Sequence, residues 1–291
     1  MATTVSDDAK NFLIHLRLPF QLLLTPFMLW GAVIAHGRVS PAFCAAFVVL
    51  HVCFYGGTTA YNSHYDKDEG PIGGLEHPPP AGPWLLPGSL ILQGVGLVLA
   101  WLIAPAFAGA CLAFAILGVL YSHPVPRWKG SPWMSWTTVM VGQGALGGIA
   151  GILASQAGGA APTLTSEIAW GLLGAAAIVG ALYPASQLFQ MDEDRARGDR
   201  TTAMVLGWRG TALATIALSI VGAVLVAASA RAGGRSFEAG VLVASAIPFG
   251  IAAAWACREQ APTVSFRRVS RFQQFAGGAF AAYTLVRLVF S

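Results

Sequence analysis

The stretch PAFCAAFVVLHVCFYGGTTAYNSHYDKDEG, residues 41–70, decides how this chain is read. Its apolar run over 42–64 is long enough for a bilayer core, which takes ~20 residues per helix. The run ends in Asp66, Asp68 and Glu69. Carboxylates beside a bilayer are costly unless they face a cavity or a partner. The stretch therefore reads as a membrane span with chemistry at one end.

The rest of the chain agrees. Of 291 residues, 55% are hydrophobic and 10% are charged, where a soluble domain carries about 25% charged residues. That balance excludes a soluble enzyme, a disordered chain and a secreted disulfide scaffold. The net charge of +4 comes with no basic stripe to meet a phosphate backbone, so nucleic acid is not expected as a partner. Cys44, Cys53, Cys111 and Cys257 have no CxxC spacing and read as small buried apolar residues. The N-terminal segment lacks a secretory layout, since Asp7 and Asp8 precede Lys10. It is expected to be a retained first span after a cytoplasmic segment over 1–16.

The same ruler gives nine candidate spans, over 18–36, 42–64, 88–104, 106–122, 133–153, 168–191, 210–230, 237–256 and 272–290. The expected fold is all-α: a single polytopic membrane unit over 1–291, with nine transmembrane helices around a central cavity. Only Ala104, Pro105 and Ala106 divide the third span from the fourth, which predicts two helices with a tight turn. With the N-terminus in the cytoplasm, the outer loops hold only Arg38, Arg231 and Arg235, and Arg287 lies inside the last span. Of the seventeen Lys and Arg, the other thirteen then face the cytoplasm. The positive-inside rule favours that orientation, in a cytoplasmic (inner) membrane.

Acids are more concentrated still. Eight of thirteen form two clusters, Asp66, Asp68, Glu69 and Glu76, and Asp192, Glu193, Asp194 and Asp199. Each lies at the cytoplasmic end of an even-numbered span. If the second span stays helical to Gly70, Asn62, Asp66 and Glu69 share a face and Asp68 points elsewhere. Oxygen ligands in that arrangement suit a hard cation such as Mg²⁺. In the second cluster Gln187, Gln190 and Asp194 share a face, flanked by Asp192 and Glu193. The interleaved Arg195, Arg197 and Arg200 either bind phosphate oxygens or neutralise the acids beside them. A third element, Tyr121-Ser-His-Pro-Val-Pro-Arg-Trp-Lys-Gly130, carries Arg127 and Lys129 on the same side.

Together these elements resemble the UbiA superfamily of intramembrane prenyltransferases, most specifically over Tyr121 to Lys129 and Asp194 to Thr202. The resemblance implies Mg²⁺-dependent transfer from an isoprenyl diphosphate to a hydrophobic or aromatic acceptor, with the lipid bilayer as surroundings and no obligate protein partner. It places Asp66, Asp194, Arg127 and Lys129 in catalysis, and Arg17, Asn62, Tyr121, Ser122, Gln187, Gln190 and Arg200 on the substrate. It gives metal binding to Asn62 and Asp66, with Glu69, Asp192 and Asp194. The pattern departs from the family's at Ser63, Gly70 and Gln190, where acids are usual, and Glu69 and Asp192 are expected to compensate. Phe20, Tyr61, Tyr65, Tyr121, Tyr183 and Phe189 are candidates to face an allylic cation. Gly144, Gly147, Gly148 and Gly151 read as helix packing, and His64, His77 and His123 as loop histidines. Two rivals are a terpene cyclase or lyase on the same scaffold, which needs no acceptor, and a transport or non-catalytic membrane protein.

Overall fold

The computed structural model describes residues 5–159 and 162–290. Among them are no β-strands, only an isolated bridge between Ile72 and Leu75. Eight helices are long and apolar enough to cross a membrane, and the chain is an integral, multi-pass membrane protein. They are α1 (Asp8–Ile34), α2 (Pro41–Asp66), α3 (Leu85–Ile103), α4 (Pro105–Ser122), α5 (Pro132–Ser155), α6 (Ser166–Ser186), α7 (Thr202–Ala232) and α8 (Ser236–Ala256). The ninth expected span is α9 (Pro262–Val289). It begins ten residues earlier than expected and carries Arg267, Arg268 and Arg271 in its first turns.

Local chemistry explains the breaks. Ala104 is extended (φ −163°, ψ 129°), and Pro105, which has no N–H to donate, opens α4, so the third and fourth spans are separate as expected. Inside α1 the backbone reverses hand at Arg17 (φ 50°), before Leu18 and Pro19. Carbonyls left open at that break are taken up by side chains. The single Thr59 hydroxyl proton is within reach of His15 O and Leu16 O, both at 3.1 Å, and of Gly56 O at 2.8 Å, and Gln21 Nε2 donates to Leu16 O at 3.0 Å. Without such partners a broken helix would leave unsatisfied polar groups at the membrane boundary. Ser40 caps α2 by accepting from Phe43 N, and Thr165 caps α6 by accepting from Ile168 N; both follow the usual N-cap chemistry.

Where helices lie in lipid, apolar area is no longer a driving force between them, and close backbone approach takes over. The second half of α1 is the hub: Pro26 to Ile34 are all buried. The glycines of α5 do the packing expected of them. A Cβ on Gly151 would fall 1.8 Å from Met28 O in α1, and one on Gly144 would fall 2.5 Å from Ala176 Cα in α6. Outward-facing Leu102, Leu213, Ile247 and Ile251 are exposed, as lipid contact requires. Cys53, Cys111 and Cys257 are buried thiols, whereas Cys44 is exposed, contrary to the expectation for all four.

Gly151→Ala is expected to destabilise the protein by about 1–3 kcal/mol, the usual range for overpacking. Gly109→Ala in α4, with open space around its Cβ position, should be neutral or slightly stabilising. Thermal melting of both variants in detergent checks the pair; equal melting would remove the role assigned to the α1–α5 approach.

Candidate active site

Four parts of the chain deliver charged side chains to one cavity of about 240 Å³. They are the break in α1, the end of α2 with the residues after it, the α4–α5 loop, and the segment between α6 and α7.

α2 does not continue to Gly70. Lys67 takes a left-handed conformation (φ 52°), with its N–H on Ser63 O, and the helix ends at Asp66. Asn62 and Asp66 therefore stay one turn apart on one face and both line the cavity. The reversal at Lys67 changes the next two acids. Asp68, expected to project elsewhere, lines the cavity with its side chain only 3% exposed. Glu69, expected on the Asn62 face, is exposed and outside the lining.

α6 likewise stops early. It ends at Ser186, the chain turns through Gln187 to Gln190, and a short helix, Met191–Ala196, carries the second acidic cluster. Gln187, Gln190 and Asp194 still reach the cavity, but from a turn and a new helix rather than from one continuous face. Asp192 points away. It is exposed and paired with Arg195 at 2.8 Å, which leaves it unable to compensate for Gln190. Arg200 is exposed, and only its backbone N–H reaches inward, to Gly130 O at 3.1 Å.

The cavity's charges are arranged in pairs. Lys129 Nζ donates to Asp66 Oδ1. Arg127, just outside the lining, clasps Asp199 with Nε and a terminal nitrogen, both at 2.8 Å, the two-bond geometry guanidinium groups favour. Arg197 donates to Asp68 Oδ1 and, at 2.6 Å, to Asp194 Oδ1, and its Nε lies 3.7 Å from Asp199. Burial works against the charge on Arg197, yet Asp68 and Asp194 outweigh it and hold its pKa above the ordinary value. Burial raises the Asp194 carboxyl, while Arg197 pulls it back. Arg17 is different: it is buried, donates to Ser63 Oγ at 2.6 Å, and has no carboxylate partner among the described residues. Its Nε is buried with no hydrogen-bond partner among the described residues.

Neutral polar groups complete the rim. Asn62 Nδ2 donates to Ser122 Oγ at 3.1 Å. The Tyr121 and Tyr183 hydroxyls meet at 2.8 Å, and Gln187 Nε2 donates to Tyr183 while its Oε1 accepts from Ala203 N. Deeper in, the lining turns apolar: Leu24, Phe27, Phe114, Leu117, Val139 and Val179. Phe114 precedes Tyr121 by two turns, so this wall lies about 10 Å below the charged rim at 1.5 Å per residue. Of the expected aromatics, Phe20, Tyr121 and Tyr183 line the cavity. Phe189 packs on Phe266, while Tyr61 and Tyr65 pack on each other.

The donor set suits a hard divalent cation. Asn62 Oδ1 and the second oxygens of Asp66, Asp68 and Asp194 take no hydrogen bond from the described residues. Mg²⁺ commonly takes one or two carboxylates and completes its shell with water and substrate phosphates. No group of three His, Cys, Asp or Glu gathers around one point among the described residues, and cationic side chains lie among the acids.

A model of the UbiA prenyltransferase family matches residues 24–275. A UbiA homologue from Archaeoglobus fulgidus bound to DMAPP and Mg²⁺ shares the fold, with a TM-score of 0.70 and 18% identity over 96% of this chain and 99% of that one. The same homologue bound to GPP and Mg²⁺ superposes with a TM-score of 0.69 at 18% identity, over 96% and 99% of the two chains. A structure from work on digeranylgeranylglyceryl phosphate synthase gives 0.66 at 14% identity, covering 98% and 99%. No curated protein matches the sequence.

Two ion pairs in the same motif should differ sharply in worth. Asp199→Asn breaks the buried clasp on Arg127 and is expected to cost about 2 kcal/mol, between the values for exposed and fully buried pairs. Asp192→Asn, at the exposed pair with Arg195, should cost less than about 1 kcal/mol. Equal melting temperatures for the two variants would contradict the geometry.

Proposed function

This chain belongs to the UbiA prenyltransferase family, and we propose that it moves an isoprenyl chain from an isoprenyl diphosphate to a hydrophobic or aromatic acceptor within the membrane. The observation that carries this reading is Arg17, a buried guanidinium in the cavity with no carboxylate partner. Asp68 is near enough to act on its charge but does not pair with it; a buried cation with no ion pair is expensive, so its natural partner is an anionic ligand. The apolar wall formed by Phe27, Phe114 and Val179 gives that ligand a hydrocarbon tail, and an isoprenyl diphosphate has both parts. DMAPP and GPP in the Archaeoglobus relative support the same substrate class.

Cavity-lining residues contribute four carboxylates and three cations, and Arg127 neutralises Asp199 from outside. The protein's own charges therefore balance, and a diphosphate must bring further positive charge with it. Bound Mg²⁺ would supply that charge and polarise the phosphoryl oxygens. Asn62 and Asp66, one turn apart on α2, would hold it, while Asp68 and Asp194 would add negative charge from across the cavity. Arg17 and Lys129 sit where they can donate to phosphate oxygens as negative charge grows on the leaving group. One preorganised donor of this kind is worth roughly 3–4 kcal/mol in the transition state.

Departure of the diphosphate leaves an allylic cation below the charged rim. Phe20, Tyr121 and Tyr183 line that region. An aromatic face attracts a desolvated cation by ~2 kcal/mol. The wall beneath them keeps water away, which preserves the cation for an acceptor. By the charge bias of the loops, this end of the cavity opens to the cytoplasm.

Asp66→Asn and Asp194→Asn are each expected to abolish turnover while the protein stays monodisperse, and chelation of divalent ions should do the same. The measurement is mass spectrometry of products from the purified protein with a panel of prenyl diphosphates and acceptors, with and without Mg²⁺. Full activity in either variant would overturn the assignment. Release of a cyclic hydrocarbon or alcohol from a prenyl diphosphate alone would replace transfer by cyclisation.

A further inference from the structure

Among the described residues, one side chain touches carboxylates of both acidic clusters. Arg197 donates to Asp68 of the first and to Asp194 of the second, and lies 3.7 Å from Asp199. It also reaches Asp66 O at 3.4 Å. The other cations hold one cluster each or none: Lys129 bonds Asp66, Arg127 bonds Asp199, and Arg17 bonds a hydroxyl. A positive group lodged between two sets of carboxylates occupies the position that a bridging divalent ion would take.

Its placement is built into the backbone. Arg197 N bonds Glu193 O, Gly198 turns left-handed (φ 81°), and Asp199 N returns to Asp194 O at 2.9 Å. That closure caps the short helix and fixes the residue just before the glycine. Glu193 in turn accepts from Gly70 N at 2.6 Å, which ties the same helix to the residues after α2. A guanidinium has five N–H donors, and the bonds to Asp68, Asp66 and Asp194 use three. Two remain: one on the nitrogen that bonds Asp194, and Nε, which is buried without a hydrogen-bond partner among the described residues. Nε is turned to Asp199, and Arg197 lines the cavity, so the second N–H of the nitrogen that bonds Asp194 is the donor left for an anion there. The positions that would supply further acids are neutral, Gln190 in the lining and Gly70 beside it.

We propose that Arg197 is a fixed cation joining the two acidic clusters and contacting the diphosphate, so that the substrate is held with a single divalent ion. The inference rests on the diphosphate reading above and adds to it a binding residue and a stoichiometry.

The test is calorimetric binding of inorganic pyrophosphate in detergent, together with a count of bound Mn²⁺ by electron paramagnetic resonance. The wild type should bind pyrophosphate with one Mn²⁺. Arg197→Gln should weaken pyrophosphate binding by roughly tenfold or more, as loss of a charge-assisted contact does, and should take up a second Mn²⁺ between the freed acids. Arg197→Lys should keep the count at one, since it retains the charge. Undiminished pyrophosphate affinity in Arg197→Gln, with the wild type binding normally, overturns the role of Arg197 and leaves the diphosphate reading standing. Two Mn²⁺ in the wild type, or in Arg197→Lys, does the same. If Arg197→Gln does not fold, the Lys variant and the wild-type count decide the matter. Failure of the wild type to bind pyrophosphate with any divalent ion overturns both readings together.

Discussion

Four carboxylates at the edge of a bilayer, within one cavity, are the constraint on which this structure depends. Asp66, Asp68, Asp194 and Asp199 all line it, and none could remain charged there unless cations were brought to them. The cations arrive from three places in the sequence, the break in α1, the α4–α5 loop and the segment between α6 and α7, and each arrival needs the backbone to leave its helix. Arg17, Lys67 and Arg127 all have left-handed φ angles, and each stands at a break beside the cavity. Such a conformation costs a non-glycine residue of order 1–3 kcal/mol. Three of them around one site mean that the ion pairs and hydrogen bonds there outweigh that strain.

The same rule governs the opposite end of the molecule. Glu167 at the start of α6 meets His36 and Arg235, both at 2.9 Å. Glu238 accepts from Tyr283 at 2.8 Å and lies within ion-pair distance of Arg235 and Arg287. Arg287, which by sequence sits inside the last span, is thus one member of a charged belt. The belt links the α1–α2 turn with α6, α8 and α9. Transport through the midplane finds no support in it, since each charge in the belt has a partner at the helix ends.

The periodic part of the fold was legible in the sequence and the irregular part was not. Apolar runs located the middle of each span, because membrane length is a constraint that any helix must meet, but α1 begins ten residues and α7 eight residues before the expected start. Residues on the regular part of a helix, such as Asn62 and Asp66, could be placed by spacing alone. The misplacements fall just past a helix end. Glu69 and Asp68 exchanged roles at the turn of Lys67, and Asp192 was lost from the site when α6 ended at Ser186 instead of continuing. No composition signal marks a left-handed lysine. Asp199 and Arg197 were visible only as part of an acid–base mixture, a pattern that more often marks a solvated surface than a site. What separates them from Asp192 and Arg195 is burial, and that depends on how the loops fold back.

Balanced charge also decides what kind of ligand the cavity can select. A strongly positive cavity would bind any phosphate from the cytoplasm, and a strongly negative one would collect divalent ions without substrate. With acids and bases paired, neither ion gains much alone: a lone anion meets the carboxylates, and a lone divalent ion meets Lys129 and Arg197. In the proposed reaction, a diphosphate entering together with its metal would change both at once, offering oxygens to the cations and charge to the acids. Discrimination then rests on the tail, because only a ligand with a hydrocarbon chain also covers Phe27, Phe114 and Val179. Each CH₂ so buried is worth ≈ 0.8 kcal/mol, and inorganic diphosphate gains none of it. On the function proposed above, a neutral set of charges above an apolar wall would thus favour an isoprenyl diphosphate with its metal over either part alone.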